Sequence, residues 1–242
     1  MSDRTAAVAA VAADLAPGGV LRAAINLGNP VLAQGTAAAP AGVTVDLARE
    51  IGARLGLPVR LACFDAARDS LAAVTTGQAD LCFLGIEPAR AGEIAFTAPY
   101  VLIEGVYAVP ERSPLTVVAD VDSAGVRIGV KRGSAYDLFL TRTLRHATVV
   151  RGVEGTTEFL TGNLEAAAGV REPMTEFVAA EPGLRLIEGR FMEIRQAVGT
   201  AASKRAETTA FLRELIEELK SSGFVADSLS RSGQTAPVAP PG

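Results

Sequence analysis

An arginine, two glutamates and two aromatic residues crowd the stretch GIEPARAGEIAFTAPY, residues 85–100. Glu87, Arg90 and Glu93 follow directly on the apolar run ADLCFL, in a segment broken by Gly85 and Pro88. Charged groups just past the carboxyl end of a strand lie where open α/β sheets bind ligands. A guanidinium presents a planar fork of donors that fits a carboxylate with two parallel hydrogen bonds. Arg90 is therefore a candidate for holding an anionic group. A solvated surface turn is the alternative.

The other chemistry-bearing residues narrow the choice. The one histidine, His146, ends a helix-like stretch DLFLTRTLRH, where a cation suits the helix carboxyl terminus. A single histidine rules out a His-rich metal site. A Ser-His-Asp triad would have to use that residue, far from any strained nucleophile turn. Cys63 and Cys82 lie in the apolar runs VRLACF and DLCFL. They lack metal-ligand spacing and read as buried free thiols in core strands. No glycine loop of the dinucleotide type appears, so neither a cofactor nor a metal is expected.

These residues sit in a chain of 242 with 49% hydrophobic and 21% charged residues, enough to bury a core in one large domain or two lobes. A net charge of −4 without a basic run argues against a nucleic-acid partner. No stretch is long enough to cross a bilayer. The amino terminus, MSDRTAAVAAVAADLAPGG, lacks the basic start and the leucine-rich centre of a secretory signal. It reads as a short amphipathic helix capped by Ser2 or Asp3 and stopped at Pro17–Gly18. On that ground the protein reads as cytoplasmic, or as periplasmic if an export segment has been removed.

From residue 20 strands and helices alternate: VLRAAINL, then the helix TVDLAREIGARLGL, PVRLACF, the helix DSLAAVTTG, and ADLCFL. The strand-rich connector VLIEGVYAVP leads to a second series: VRIGV, SAYDLFLTRTLR, ATVVR, TTEFLTG, EAAAGV, PMTEFVAAE and LRLIE. Such alternation predicts α/β architecture with mainly parallel sheets flanked by helices. RQAVGT is a further strand, and ETTAFLRELIEELKSSG carries Phe211, Leu212, Leu215, Ile216 and Leu219 on one helical face. The halves show no convincing sequence repeat.

The segments GVTVDLAREIGARLG, TGQADLCFLGI, RAGEIAFTAPY and VRIGVKRGSAYDLFL resemble the type II solute-binding proteins of ABC transporters, in the amino-acid-binding family 3. The resemblance runs from about residue 20 to about 230. It implies two lobes with a ligand cleft between them, closed by a hinge. Lobe 1 would hold residues 20–108 and 196–230, lobe 2 residues 109–195, with 1–19 an amino-terminal helix or extension and 231–242 a flexible tail. The hinge strands would lie near YAVP and RQAVG.

By the same resemblance Arg90 matches the arginine that grips a ligand's α-carboxylate, and Gly85 a point of close backbone approach. The segment between them looks about two residues shorter than in glutamine-binding relatives, which leaves the placement of Glu87 open. Asn26 aligns with a common ligand-contacting acid, and Asn29 lies on the next turn; ordinary turn chemistry is the alternative for both. Lys131, Ser134 and Ala135 match a turn that meets the ligand, where a helix start suits an anion. Ser134 can equally be a helix cap. Tyr136 either walls the site or joins the core.

The departure comes at GNLEAAAGVRE, where Val170 stands in place of the aspartate that pairs with an α-ammonium. Arg90, Lys131 and Arg171 then face only Glu87 and Glu172, a balance that favours a carboxylic acid, whereas family habit favours an amino acid. Arg171 and Glu172 can instead simply open the helix at Pro173. The leading reading is a binding protein for an amino acid-like or small carboxylate ligand. Its implied partner is an ABC permease, with no membrane insertion and a monomeric state. The alternative is a cytosolic enzyme on the same fold, similar to cyclohexadienyl dehydratases, with Glu172 as general acid.

Overall fold

The computed structural model describes residues 3–242. The cap expected at Ser2 or Asp3 falls on side chains outside the described residues. The chain divides into two compact units. Unit 1 runs to Leu102 and resumes with Arg195–Gly242, and unit 2 is Ile103–Ile194. The first division falls six residues before the boundary read from the sequence, because a single strand carries the chain across it.

Unit 1 opens with helix α1 (Asp3–Leu15), then β1 (Leu21–Asn26), a small hairpin of β2 (Gln34–Thr36) and β3 (Ala39–Ala41), and α2 (Val43–Leu55). It continues through β4 (Val59–Phe64), α3 (Ala67–Thr75) and β5 (Leu81–Gly85) into β6 (Ile94–Pro110). The apolar face of α2 is buried through Val43, Leu47, Ala48, Ile51 and Leu55. The helix stops at Gly56, left-handed at φ 65°, whose N–H returns to Ala53 O, a turn that glycine adopts without a Cβ clash. The hairpin β2–β3 is a feature that the apolar periodicity does not announce, since its residues are mostly exposed.

Unit 2 contains β7 (Arg127–Lys131), α4 (Ala135–Thr143), β8 (Thr148–Gly152), α5 (Gly155–Thr161), β9 (Ala166–Val170), α6 (Arg171–Ala180) and β10 (Leu184–Leu186). Strand β11 (Met192–Ala201) then returns the chain to unit 1, where α7 (Ala206–Ser221) and α8 (Phe224–Arg231) complete it. His146 is not at a helix end as expected. Helix α4 stops at Thr143, and the N–H groups of Arg145, His146 and Ala147 all donate to the Asp122 carboxylate.

Both units are built on one plan. In unit 1 the strand order is β4-β1-β5-β11, with β1 parallel to β4 and β5, and β11 antiparallel to β5. In unit 2 the order is β8-β7-β9-β6, with β7 parallel to β8 and β9, and β6 antiparallel to β9.

The ion pairs reveal a repeat that the sequence reading missed. Arg22, second in β1, gives its N–H and Nε to Asp80 Oδ2 at 2.8 and 3.1 Å, and Nη1 to Gly77 O at 2.7 Å. Arg127, opening β7, gives its N–H and Nε to Glu165 Oε2 at 2.8 and 3.0 Å, and Nη1 to Gly162 O. The shared text is Thr76-Gly77-x-x-Asp80 against Thr161-Gly162-x-x-Glu165, each followed seven residues after its acid by Glu-Pro, at Glu87 and Glu172.

Both chain ends are tied into unit 1. Leu15 and Ala16 are buried, and Asp14 accepts Thr208 Oγ1 at 2.6 Å and Arg205 N–H at 3.1 Å. The tail expected to be loose is hydrogen-bonded instead. Val238 bridges Val101, Leu102 N–H donates to Pro237 O, and Ala239 N–H donates to Tyr100 O. Its prolines suppress helix, and the short stretch between them still pairs along a strand edge.

Candidate functional site

In unit 1 the candidate residues converge because β1 and β5 are adjacent parallel strands, which brings their carboxyl ends to one edge. Strand β5 ends at Gly85, and a single 3-10 turn, Pro88–Arg90, folds the chain back. That turn places Arg90 Nη1 2.7 Å from Gly85 O. The side chain is not a solvated surface group: Arg90 is 1% exposed and Glu87 3%. Burial pushes the Arg90 guanidinium down from its ordinary value, and the neighbouring Cys82 and Glu87 push it back up. The Cys82 thiol is itself pushed up to about 12 by burial. It is an inert core group, and Cys63 is only half-buried.

Asn26 and Asn29 lie on the same edge. Asn26 Oδ1 accepts Gly28 N–H at 3.1 Å, which is turn chemistry of the Asx type. Asn29 holds the turn with its backbone, its carbonyl accepting Leu32 and Ala33 N–H. Its Oδ1 is buried with no hydrogen-bond partner among the described residues. Two further buried hydroxyls in this unit also lack one, Ser70 Oγ and Tyr100 OH. Ser70 was not singled out from the sequence, and an apolar-periodic helix gives no sign of it.

In unit 2 the adjacent strands β7 and β9 end at Lys131 and Val170. Beyond Lys131 comes Gly133, left-handed at φ 72°, then Ser134 as the cap of α4. Ser134 Oγ accepts Asp137 N–H at 3.0 Å, and Asp137 Oδ2 accepts Gly133 N–H at 2.8 Å. Asp137 is 3% exposed and receives Arg151 Nε at 2.8 Å on its other oxygen. The turn at Gly133–Ala135 is thus fixed from behind by the buried Asp137, itself paired with the half-buried Arg151. Tyr136 is half-buried and packs against the core cluster of Tyr107, Ile128 and Leu140.

The charges in this unit are committed differently from the balance expected of the sequence. Lys131 Nζ lies 2.5 Å from Glu154 Oε1. Arg171 gives Nε to Glu104 Oε2 at 2.5 Å and Nη2 to Gly189 O at 2.6 Å. Glu104 also receives Arg190 Nη1 at 2.7 Å; the two guanidinium groups, Arg190 before Arg171, hold its carboxyl below its ordinary value. The positive surplus expected from Lys131 and Arg171 is therefore neutralised inside the unit. Glu172, half-buried in the first turn of α6, has its Oε2 buried with no hydrogen-bond partner among the described residues. Pro173 lies third in α6 and does not begin it.

Unit 2 also carries a hollow of about 570 Å³, lined by Leu115, Val126, Phe159, Leu164 and Leu184. It lies where β7 and β9 begin, opposite their carboxyl ends, and none of the candidate residues lines it. Among the described residues no cluster of His, Cys, Asp and Glu could hold a metal ion, and no helix is long and apolar enough to cross a membrane.

Two α/β units of one plan, the first assembled from both ends of the chain, define the two-lobed periplasmic-binding-protein architecture of type II. A mutant of ArgBP from T. maritima matches with a TM-score of 0.75 at 20% identity, over 92% of this chain and 99% of its own. An amino acid ABC transporter substrate-binding protein, AbpA from Streptococcus pneumoniae bound to L-arginine, matches with a TM-score of 0.74 at 20% identity, over 90% and 96%. The ancestral amino acid-binding protein AncCDT-1, a precursor of cyclohexadienyl dehydratase, matches with a TM-score of 0.71 at 16% identity, over 90% and 96%. A comparison with curated proteins finds no significant match.

The chain belongs to the bacterial extracellular solute-binding proteins, family 3, whose family model matches residues 21–231. Its function is that of the family: capture of a small solute. The family's extracellular description gives no support to a cytoplasmic location.

Proposed function

We propose that the solute is an amino acid or a close analogue, with Arg90 holding its carboxylate and Glu172 its ammonium. The observation that carries this reading is the buried Oε2 of Glu172, without a hydrogen-bond partner among the described residues, while Lys131 and Arg171 already have acids in Glu154 and Glu104. A buried carboxylate oxygen without a donor is costly, and a ligand ammonium supplies both donor and charge. Glu172 then does the work of the acid that Val170 cannot do. Solved relatives bound to L-arginine support the same class of ligand.

Gly85, Glu87, Asn26 and Asn29 complete the unit 1 contribution in this proposal, with Asn29 Oδ1 as a further acceptor. Lys131, Ser134, Ala135 and Tyr136 form the unit 2 contribution at the start of α4. Arg171 acts indirectly, by holding the helix that carries Glu172. An ABC permease is the proposed partner, the monomer the proposed state, and a location outside the cytoplasm follows the family.

The test is calorimetric titration with L-arginine and L-glutamine, and with matched carboxylates that lack the α-ammonium. The amino acids bind and the matched carboxylates bind at least about tenfold more weakly, a loss of about 1.4 kcal/mol. Glu172→Gln abolishes that preference. Equal affinity for both classes in the unmodified protein overturns the assignment.

A dehydratase reading shares the same carboxyl group, and the likeness to AncCDT-1 supports it. It requires turnover of prephenate or arogenate that Glu172→Gln removes. A panel of such cyclohexadienols left unchanged leaves binding as the function.

A further inference from the structure

We infer that the carboxyl-terminal segment is a strap on the crossing strand β6, confining its bending to Ile103, between Leu102 and Glu104. Only two connections cross between the units, one within β6 and one within β11. On the unit 1 side the strap pairs with β6 up to the last residue of that unit. Leu102 N–H donates to Pro237 O and Ala239 N–H to Tyr100 O, each at 3.0 Å, around the Val101–Val238 bridge.

The strap is itself anchored at both ends. Pro240 O accepts Lys220 Nζ at 2.8 Å, and that ammonium is held at 2.6 Å by Glu217 on α7. Ala236 and Ala239 are buried. Upstream, Ser228 and Arg231 of α8 both reach Asp46 Oδ2 on α2, at 2.5 and 2.9 Å. The segment is therefore continuous with the helices of unit 1, and β6 cannot bend at Tyr100–Leu102 without breaking it.

On the unit 2 side β6 is fixed just as closely. Glu104 receives Arg171 and Arg190. Gly105 pairs with Val170 and accepts Phe191 N–H at 2.9 Å. A Cβ at Gly105 would meet the Met192 and Phe191 side chains at 2.8 Å, so that segment is packed as well as hydrogen-bonded. Between the two grips stands Ile103. A hinge is a short run that absorbs the backbone rotation while its flanks stay rigid, and the strap supplies one of those flanks.

The experiment measures unit-to-unit distance in ligand-free protein, so its failure is separate from any failure of the ligand assignment. Nitroxides are placed at the exposed positions Gln78 and Asn163, with Cys63→Ser, and read by pulsed dipolar spectroscopy. Ala239→Pro removes the N–H that donates to Tyr100 O. It is expected to broaden the distance distribution. Val101 and Val238 form a non-hydrogen-bonded antiparallel pair, whose Cα atoms lie about 4.5 Å apart, within the span of a disulfide. The oxidised V101C/V238C variant is expected to keep the unmodified distribution or narrow it, while its reduced form does not narrow it.

Superimposable distributions for the unmodified and Ala239→Pro proteins overturn the strap, as does broadening on oxidation. Should Ala239→Pro fail to fold, the oxidised variant decides: an unchanged or narrowed distribution upholds the strap, and a broadened one overturns it. A disulfide that does not form shows that the strap is not seated on β6, which also overturns the proposal.

Discussion

The same motif closes the central sheet of each unit, yet the two copies end in opposite electrostatic states. In unit 1 the acid that follows β5, Glu87, is 3% exposed and its charge is felt by the buried Arg90 three residues on. In unit 2 the acid at the matching place, Glu172, has no basic residue three places later; Thr175 stands there. The nearby Arg171 is drawn off to Glu104. One unit presents a guanidinium with its counter-charge built in, the other a carboxylate oxygen without a donor. A repeated scaffold can thus carry different charges at the ends of its strands by changing a few residues after each one.

The largest expected effect on this contrast comes from Arg90→Ala. Truncating one member of a buried charge pair costs about 2–5 kcal/mol. We expect L-arginine binding to fall by at least about 30-fold and the ligand-free protein to melt earlier, by calorimetry and thermal unfolding. Glu172→Gln should behave in the opposite way without ligand. Glu172 Oε2 has no hydrogen-bond donor among the described residues, so neutralising that side chain leaves the melting temperature unchanged or raises it. A matching loss of stability in both variants would erase the distinction between the units.

The strand-opening pairs offer a second, smaller contrast. Asp80 is 3% exposed at its side chain, whereas Glu165 is 38% exposed opposite an Arg127 that is 44% exposed. Asp80→Ala removes a buried acid but leaves Arg22, 34% exposed, within reach of water, and should cost about 2 kcal/mol, between the buried and the surface cases. Glu165→Ala acts in water and should cost about 1 kcal/mol or less. Chemical denaturation of both variants checks the order, and comparable costs would show that burial does not separate the two copies.

The smallest effect is expected from acid. Glu104 has its folded-state value lowered by Arg190 and Arg171. Its contribution to stability is therefore complete above the ordinary carboxylate range and is lost as pH falls below that range. Glu104→Gln should flatten the stability profile in that acidic window alone, leaving stability changes between pH 6 and pH 8, on the order of the measurement error, unaltered by the substitution.

Much of this was legible in the chain itself. Alternating apolar strands and amphipathic helices gave the α/β class, and the order of four weak motifs gave the family resemblance. Ser134 as a cap was readable because the Ser-x-x-Asp spacing carries its own hydrogen bond. The repeat between halves was not, because only its Arg, Thr-Gly and Glu-Pro positions persist while the helix-packing residues differ. Gly129 meets Gly155 across a contact with no room for a Cβ, where the corresponding places in unit 1 hold Ala24 and Ser70. The charge balance was misread for a related reason. Glu104 and Glu154 lie 67 and 23 residues from the cations they neutralise, and spacing along the chain says nothing about such partners.

The binding of Asp14 to Thr208, 194 residues apart, has a consequence for biosynthesis. Unit 2 is one uninterrupted stretch and can fold as soon as it emerges from the ribosome, as contiguous domains do. Unit 1 must wait: β5 lacks its neighbour β11 and α1 lacks α7 until residues 192–221 have been translated. The middle of the polypeptide is thus finished before the beginning, and the nascent amino-terminal half is the part that a chaperone would have to shelter.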